Sequence, residues 1–153
     1  MRTTAALYLC MIPLSLTIGG CSTPASEQVA AAAAVPLTNT SWRLLQLGER
    51  VVDNPAGPAA VNLQLDAQNP RVTGFAGCNR MFGGYSLNGD ELKFDDLGAT
   101  KMACAEGSRM KLEQDYFDML ANVASWKISG SSLQLLDSGG ASLAMFAADA
   151  PTP

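Results

Sequence analysis

Between residues 37 and 147 apolar and polar side chains alternate in short runs, and each run ends at a glycine, proline or asparagine. Residues 41–47 place Trp42 and Leu44 on one face, and residues 61–66 place Val61, Leu63 and Leu65 on one face, as half-buried strands do. Asn69-Pro70 marks a turn, after which residues 71–75 restart a strand. Residues 83–87 and 91–94 flank Asn88-Gly89-Asp90, and an Asn-Gly between alternating runs predicts a hairpin. Asp95, Asp96 and Gly98 are expected to end that segment. From about residue 108 to 123 the period changes: Leu112, Tyr116, Met119, Leu120 and Val123 recur at helical spacing, with Ser108 as the expected N-cap. Strands resume at 126–128, 133–135 and 143–146, separated by Ser129-Gly130 and Ser138-Gly139-Gly140. Short antiparallel strands plus one helix predict a mainly β barrel or sandwich.

The first 36 residues follow other rules. Arg2 precedes an apolar run, residues 5–18, too short to span a bilayer and ending Ile18-Gly19-Gly20-Cys21. This resembles a lipoprotein signal: residues 1–20 would be cleaved and the Cys21 thiol acylated with palmitate-type chains. Each buried methylene contributes about 0.8 kcal/mol, so two or three chains hold a soluble domain at a membrane. Ser22 lacks the aspartate of inner-membrane retention, which favours the periplasmic face of the outer membrane in a two-membrane cell. Residues 21–36, small and proline-bounded, read as a lipidated tether reaching on the order of 20 Å. Residues 37–147 form the domain and 148–153 a disordered tail.

Composition narrows the chemistry. The formal charge is −4, and loss of Arg2 with the signal makes it −5. An acidic domain without a basic stripe does not suit nucleic acid. No histidine is present, which removes the commonest general base and metal ligand. Asp95 and Asp96 are adjacent on a strand and point apart, and no serine has a triad partner. The expectation is no catalytic set and no cofactor.

Residues 74–104 concentrate what remains. Cys78 and Cys104 are the two cysteines of the expected mature domain and, in an exported protein, read as a disulfide. Free thiols, a redox pair without Cys-x-x-Cys spacing, or a two-thiolate metal site remain as alternatives. Asn79-Arg80 reads as a recognition pair or, more plainly, as a tight-turn Asn79 followed by an Arg80 paired with Asp95 or Asp96. Gly74, Gly77, Gly83 and Gly84 fit bulges rather than a phosphate loop. Met102 is expected in the core, with Met81, Met102 and Met110 as a weaker soft-metal option.

Gly77-Cys78-Asn79-Arg80, then Gly84-Tyr85, Leu92-x-Phe94 and Thr100-Lys101-Met102-Ala103-Cys104 resemble the signature of the META domain family, in its form as HslJ-like bacterial heat-shock lipoproteins. The resemblance implies a small β-barrel-like, lipocalin-like domain with a helix packed across it. It also implies an envelope lipoprotein linked to stress response and antibiotic tolerance, with no established catalytic residues. The expected function is a non-enzymatic binding module, its partner an envelope protein or small hydrophobic ligand. The alternatives are an inhibitor of an envelope-active enzyme such as lysozyme, inserting a loop of residues 76–84, or a carrier of a lipid-like ligand.

Overall fold

The computed structural model describes residues 35–104 and 106–149. Residues 1–34, with the expected signal segment, Cys21 and most of the tether, lie outside the described residues, as do 150–153 of the expected tail.

The chain runs β1 (Trp42–Leu47), β2 (Arg50–Val51), β3 (Asn62–Leu65), β4 (Arg71–Phe75), β5 (Arg80–Asn88), β6 (Glu91–Ala99), α1 (Gly107–Ala121), β7 (Ser125–Ser129), β8 (Ser132–Leu136) and β9 (Ser142–Ala148). The strands pair antiparallel in the order β1-β3-β4-β5-β6-β7-β8-β9, and β9 returns to β1, so the sheet closes as a ring. The short β2 adds to β1 beyond the reach of β3. Closure removes most free edges. The mainly β architecture with one helix is the one expected.

Alternation decides what fills the ring. Trp42, Leu44, Leu63, Leu65, Val72, Leu133, Leu135 and Phe146 are fully buried, whereas Gln64 and Thr73 between them face out. The Trp42 indole N–H donates to the Leu37 carbonyl at 2.8 Å, so the buried nitrogen is satisfied. The predicted hairpin forms with Asn88 opposite Glu91 and Gly89 at φ 61°, a left-handed conformation that glycine adopts freely.

Two elements are longer than expected. β5 begins at Arg80, because Met81 turns into the core and residues 80–84 pair with 71–75 of β4. The Ala76-to-Gly84 segment is therefore mostly strand, and the loop expected for the inhibitor alternative shrinks to residues 76–79. β6 continues past Asp95 to Ala99. Asp96 takes φ 46° and the β5–β6 register shifts between Phe82 and Gly84, so the acidic pair marks an irregularity within the ladder rather than its end.

Helix α1 buries Tyr116, Met119 and Leu120. The Tyr116 ring meets Phe146 edge-on at 6.3 Å, and its hydroxyl donates to the Asn62 carbonyl at 3.3 Å. Burial pushes this phenol well above its ordinary range. Ser108 is not the N-cap. The cap lies two residues earlier, at Glu106, with no side-chain cap bond. At the other end Asn122 closes the helix, its side-chain amide donating to the Asp118 carbonyl at 2.7 Å. Val123, just beyond, remains buried.

The folded unit is also wider than residues 37–147. Val35 N–H bonds to the Gly130 carbonyl at 3.2 Å. Ala148 belongs to β9, and Asp149 receives the Arg43 Nε at 2.9 Å while its backbone N–H donates to Ser41. Ala148 and Asp149 are thus not tail; the ion pair with Arg43, partly shielded, holds them on β1.

Candidate functional site

The β4–β5 turn, residues 76–79, carries the family-type signature and abuts α1. Gly77 has φ 121°, a region that side chains disfavour, and its carbonyl accepts from Arg109 Nη1 at 3.1 Å. The next two backbone N–H groups, of Cys78 and Asn79, converge on Glu113 Oε2 at 3.2 and 2.7 Å. The Asn79 side chain completes the arrangement. Its Nδ2 donates to Glu113 Oε1 at 2.9 Å, and its Oδ1 accepts from Met102 N at 2.7 Å and Thr100 Oγ1 at 3.0 Å. Arg80 N donates to the same Thr100 hydroxyl oxygen at 3.2 Å.

One asparagine thus ties the β4–β5 turn to the helix and to the segment after β6. Cys78 and Cys104 span the same two segments, bonded, with Cα atoms 5.7 Å apart. Asn79 is 6% exposed, and among the described residues no buried side-chain nitrogen or oxygen lacks a partner. Glu113 receives three N–H donors, so its lone pairs point into the turn. Chemically this is a clamp: its polar atoms are engaged with one another.

The structure gathers Gly77, Cys78, Asn79, Thr100, Met102 and Cys104 at the clamp, Met102 through its backbone. Arg80 joins them only through its backbone N–H, its side chain being exposed, and Gly84 and Tyr85 lie apart. Gly84 lies beneath the Asp95 carboxylate, where a side chain would collide. The Tyr85 hydroxyl donates to the Asp66 carbonyl at 2.7 Å, and partial burial, then the Asp66 charge, raise its pKa.

Several expectations change. Asn79 does lie in the tight turn, but the positive backbone angle there belongs to Gly77, and the work of Asn79 is done by its side chain. Arg80 pairs with neither Asp95 nor Asp96, since outward alternation leaves it exposed and no carboxylate of the described residues lies within 4.0 Å. Met102 is 67% exposed rather than core, its backbone being held by Asn79 while its side chain projects outward. Met81 is buried and stays out of the cleft of about 580 Å³ beside the disulfide that Met102 and Met110 border, so the three methionines do not meet at one site. Glu113, 34 residues from Asn79, reads in the sequence only as a polar-face helix residue. Asn54 reads as a turn former, yet its side chain bonds both Leu44 and Val61 carbonyls and the Val61 N–H.

Three solved structures are similar in fold. An NMR structure of a protein from Burkholderia xenovorans is 27% identical, covering 83% of this chain and 97% of its own, with a TM-score of 0.59. A second NMR structure is 22% identical over 72% of this chain and 91% of its own, at 0.55. The crystal structure of a DUF4847 family protein from Bacteroides vulgatus is 14% identical over 72% and 93%, at 0.51. No curated protein matches the chain. The sequence model of the META domain matches residues 35–150, which takes in the whole ring, the helix and the clamp, and the chain belongs to the META domain family.

Proposed function

We propose that the protein is a non-enzymatic envelope lipoprotein of the HslJ-like type, a stress-associated binding module anchored through acylated Cys21 and facing the periplasm from the outer membrane. The observation that carries the binding-module reading is the clamp. Glu113, Asn79 and Thr100, the polar side chains a catalytic reading would recruit, bond to one another and to backbone N–H groups. A carboxylate that already accepts three N–H donors keeps only about one of its four lone-pair sites, so Glu113 is committed to the turn rather than to a substrate proton. The Cys78–Cys104 bond then acts as a staple of the clamp rather than as a redox centre.

Two alternatives weaken on particular residues. The inhibitor reading needs a protruding loop, and the turn at 76–79 is short and pinned to α1. The carrier reading needs room inside the ring, and that interior is occupied by Trp42, Phe146 and the buried leucines. A partner therefore meets the outer surface.

The anchor and the role are tested together in a strain deleted for the gene. The wild-type chain is expected in the membrane fraction and to restore growth under heat or novobiocin stress, whereas Cys21→Ser is expected in the soluble fraction. Unchanged membrane association of Cys21→Ser defeats the lipid anchor. Failure of the wild-type chain to alter stress tolerance defeats the stress role.

A further inference from the structure

The outer face of β3, β4 and β5 carries features that the clamp does not use. With Leu63, Leu65, Val72 and Met81 turned inward, Gln64, Arg71, Thr73, Arg80 and Phe82 point out. Phe82 is 47% exposed, and its ring lies over Gly98, where an added Cβ would come within 2.9 Å of ring carbon Cε2. The absent side chain at 98 lets the ring lie against backbone. Depressions of about 450 and 690 Å³ share Gln64, Thr73 and Phe82 as a common wall, and Arg71 borders the first while Arg80 borders the second.

Among the described residues Arg43, Arg50 and Arg109 each have a carboxylate within ion-pair distance, and Arg71 and Arg80 do not. These two arginines stand opposite Gly84 and Phe75 in the β4–β5 ladder. They are therefore four positions apart, about 13 Å along the strands. Asp66 borders the Arg71 depression and Asp95 lies over Gly84 beside it, whereas no carboxylate borders the Arg80 depression.

We propose that this strip binds an acidic glycan, with one sugar ring lying on Phe82 and a sugar carboxylate on Arg80. A pyranose presents a C–H face and a rim of hydroxyls. An aromatic ring takes the face, and planar paired groups such as guanidinium, amide and carboxylate take neighbouring hydroxyls. The Arg71 end offers that mixture through Arg71, Asp66, Gln64 and Thr73. At the Arg80 end a guanidinium fork faces outward without an acid, which suits a carboxylate. Two depressions on either side of Phe82 suit a chain of sugars rather than one. A polynucleotide would set continuous phosphates against Asp66 and Asp95 in a domain of net negative charge. A protein interface would need apolar anchors across the whole strip; the Arg80 depression has Phe75 and Met102 on its wall, but the Arg71 depression offers Phe82 alone among polar groups. The assignment rests on the binding-module reading above and narrows it to one ligand class.

The detergent-purified full chain is titrated with oligogalacturonate, with a malto-oligosaccharide as neutral control and inorganic phosphate as bare-anion competitor. The acidic oligomer is expected to bind more tightly than the neutral one. Arg80→Gln, an exposed change that leaves the fold alone, lowers its affinity about tenfold, the loss of one charge-assisted bidentate contact, and leaves neutral-oligomer binding unchanged. Phe82→Ala weakens both oligomers. No binding of the acidic oligomer by the wild-type chain, wild-type affinity in Arg80→Gln, or displacement by equimolar phosphate would overturn the proposal. A chain that binds no glycan yet still restores stress tolerance sinks this assignment alone and leaves the binding module standing.

Discussion

Asn79 divides its side chain between two segments distant in sequence: the amide nitrogen reaches Glu113 on α1, and the oxygen holds Thr100 and Met102 after β6. Truncation to alanine removes these bonds at once and leaves the Met102 N–H and part of the Glu113 carboxylate unpartnered at a part-buried joint. Asn79→Ala is expected to lower stability by about 2–3 kcal/mol, the usual penalty for stranding buried polar groups, read as a fall in urea midpoint with little change in slope. A midpoint equal to wild type would mean that the clamp does not hold the turn. The residue itself stands out in the sequence beside Cys78, but its function does not. Its partners are 21, 23 and 34 positions away, and no periodicity links them. The exposure of Arg80 and Met102 is hidden from the sequence for a related reason: which side of a strand or loop faces out depends on register, and register beyond 80 follows from pairing with β4.

Among the elements, the strands built on strict alternation (β1, β3 and β4) and the Asn-Gly hairpin were legible, because local pattern and tertiary position agree there. β5 and β6 were cut short, because Gly83, Gly84 and the Asp95-Asp96 pair look like loop and are in fact the irregular middle of a continuous ladder. The helix cap lies two residues before Ser108, at Glu106, whose side chain makes no cap bond that the sequence could signal. Ser108→Ala is accordingly expected to shift stability by less than about 0.5 kcal/mol. A loss near 1 kcal/mol, typical of a lost N-cap, would restore Ser108 to that role. The β3–β4 connection makes a pH prediction. N–H bonds from Gln68, then Asn69, hold the Asp66 carboxyl below its ordinary value near 3.8. A depressed native pKa means that the folded chain binds fewer protons than the unfolded one. Its contribution is present above the ordinary value and lost as pH falls through the native one. Asp66→Asn keeps an acceptor in the turn and cannot titrate, so acid unfolding of this variant should be measurably less steep below pH 4 than that of wild type. An identical acid limb would show that the turn contributes nothing.

For the whole molecule, the sequence pattern conveys strands, one helix and a shared apolar face, but not the order in which the strands meet. Return of β9 to β1 depends on pairing across 100 positions, set by Trp42, Leu44 and Phe146 packing in one interior. The same closure brings Arg43 to Asp149 and draws residues 148–149 into the domain. Within this ring, the region of densest glycine and thiol content is the joint between turn, helix and post-β6 segment, and the proposed binding chemistry is assigned to the outer strands beside it. That division is the central claim, and it is tested by alkylating the native protein without reductant and comparing Cys78→Ser/Cys104→Ser with wild type. The account predicts a mass lighter by two hydrogens, no alkylation of Cys78 or Cys104, and a double variant less stable by about 3–4 kcal/mol, as expected for opening a closed loop of this size. It also predicts that the double variant still restores stress tolerance at permissive temperature. Free thiols in the native protein, unchanged stability of the double variant, or loss of tolerance in a double variant that remains folded would contradict it.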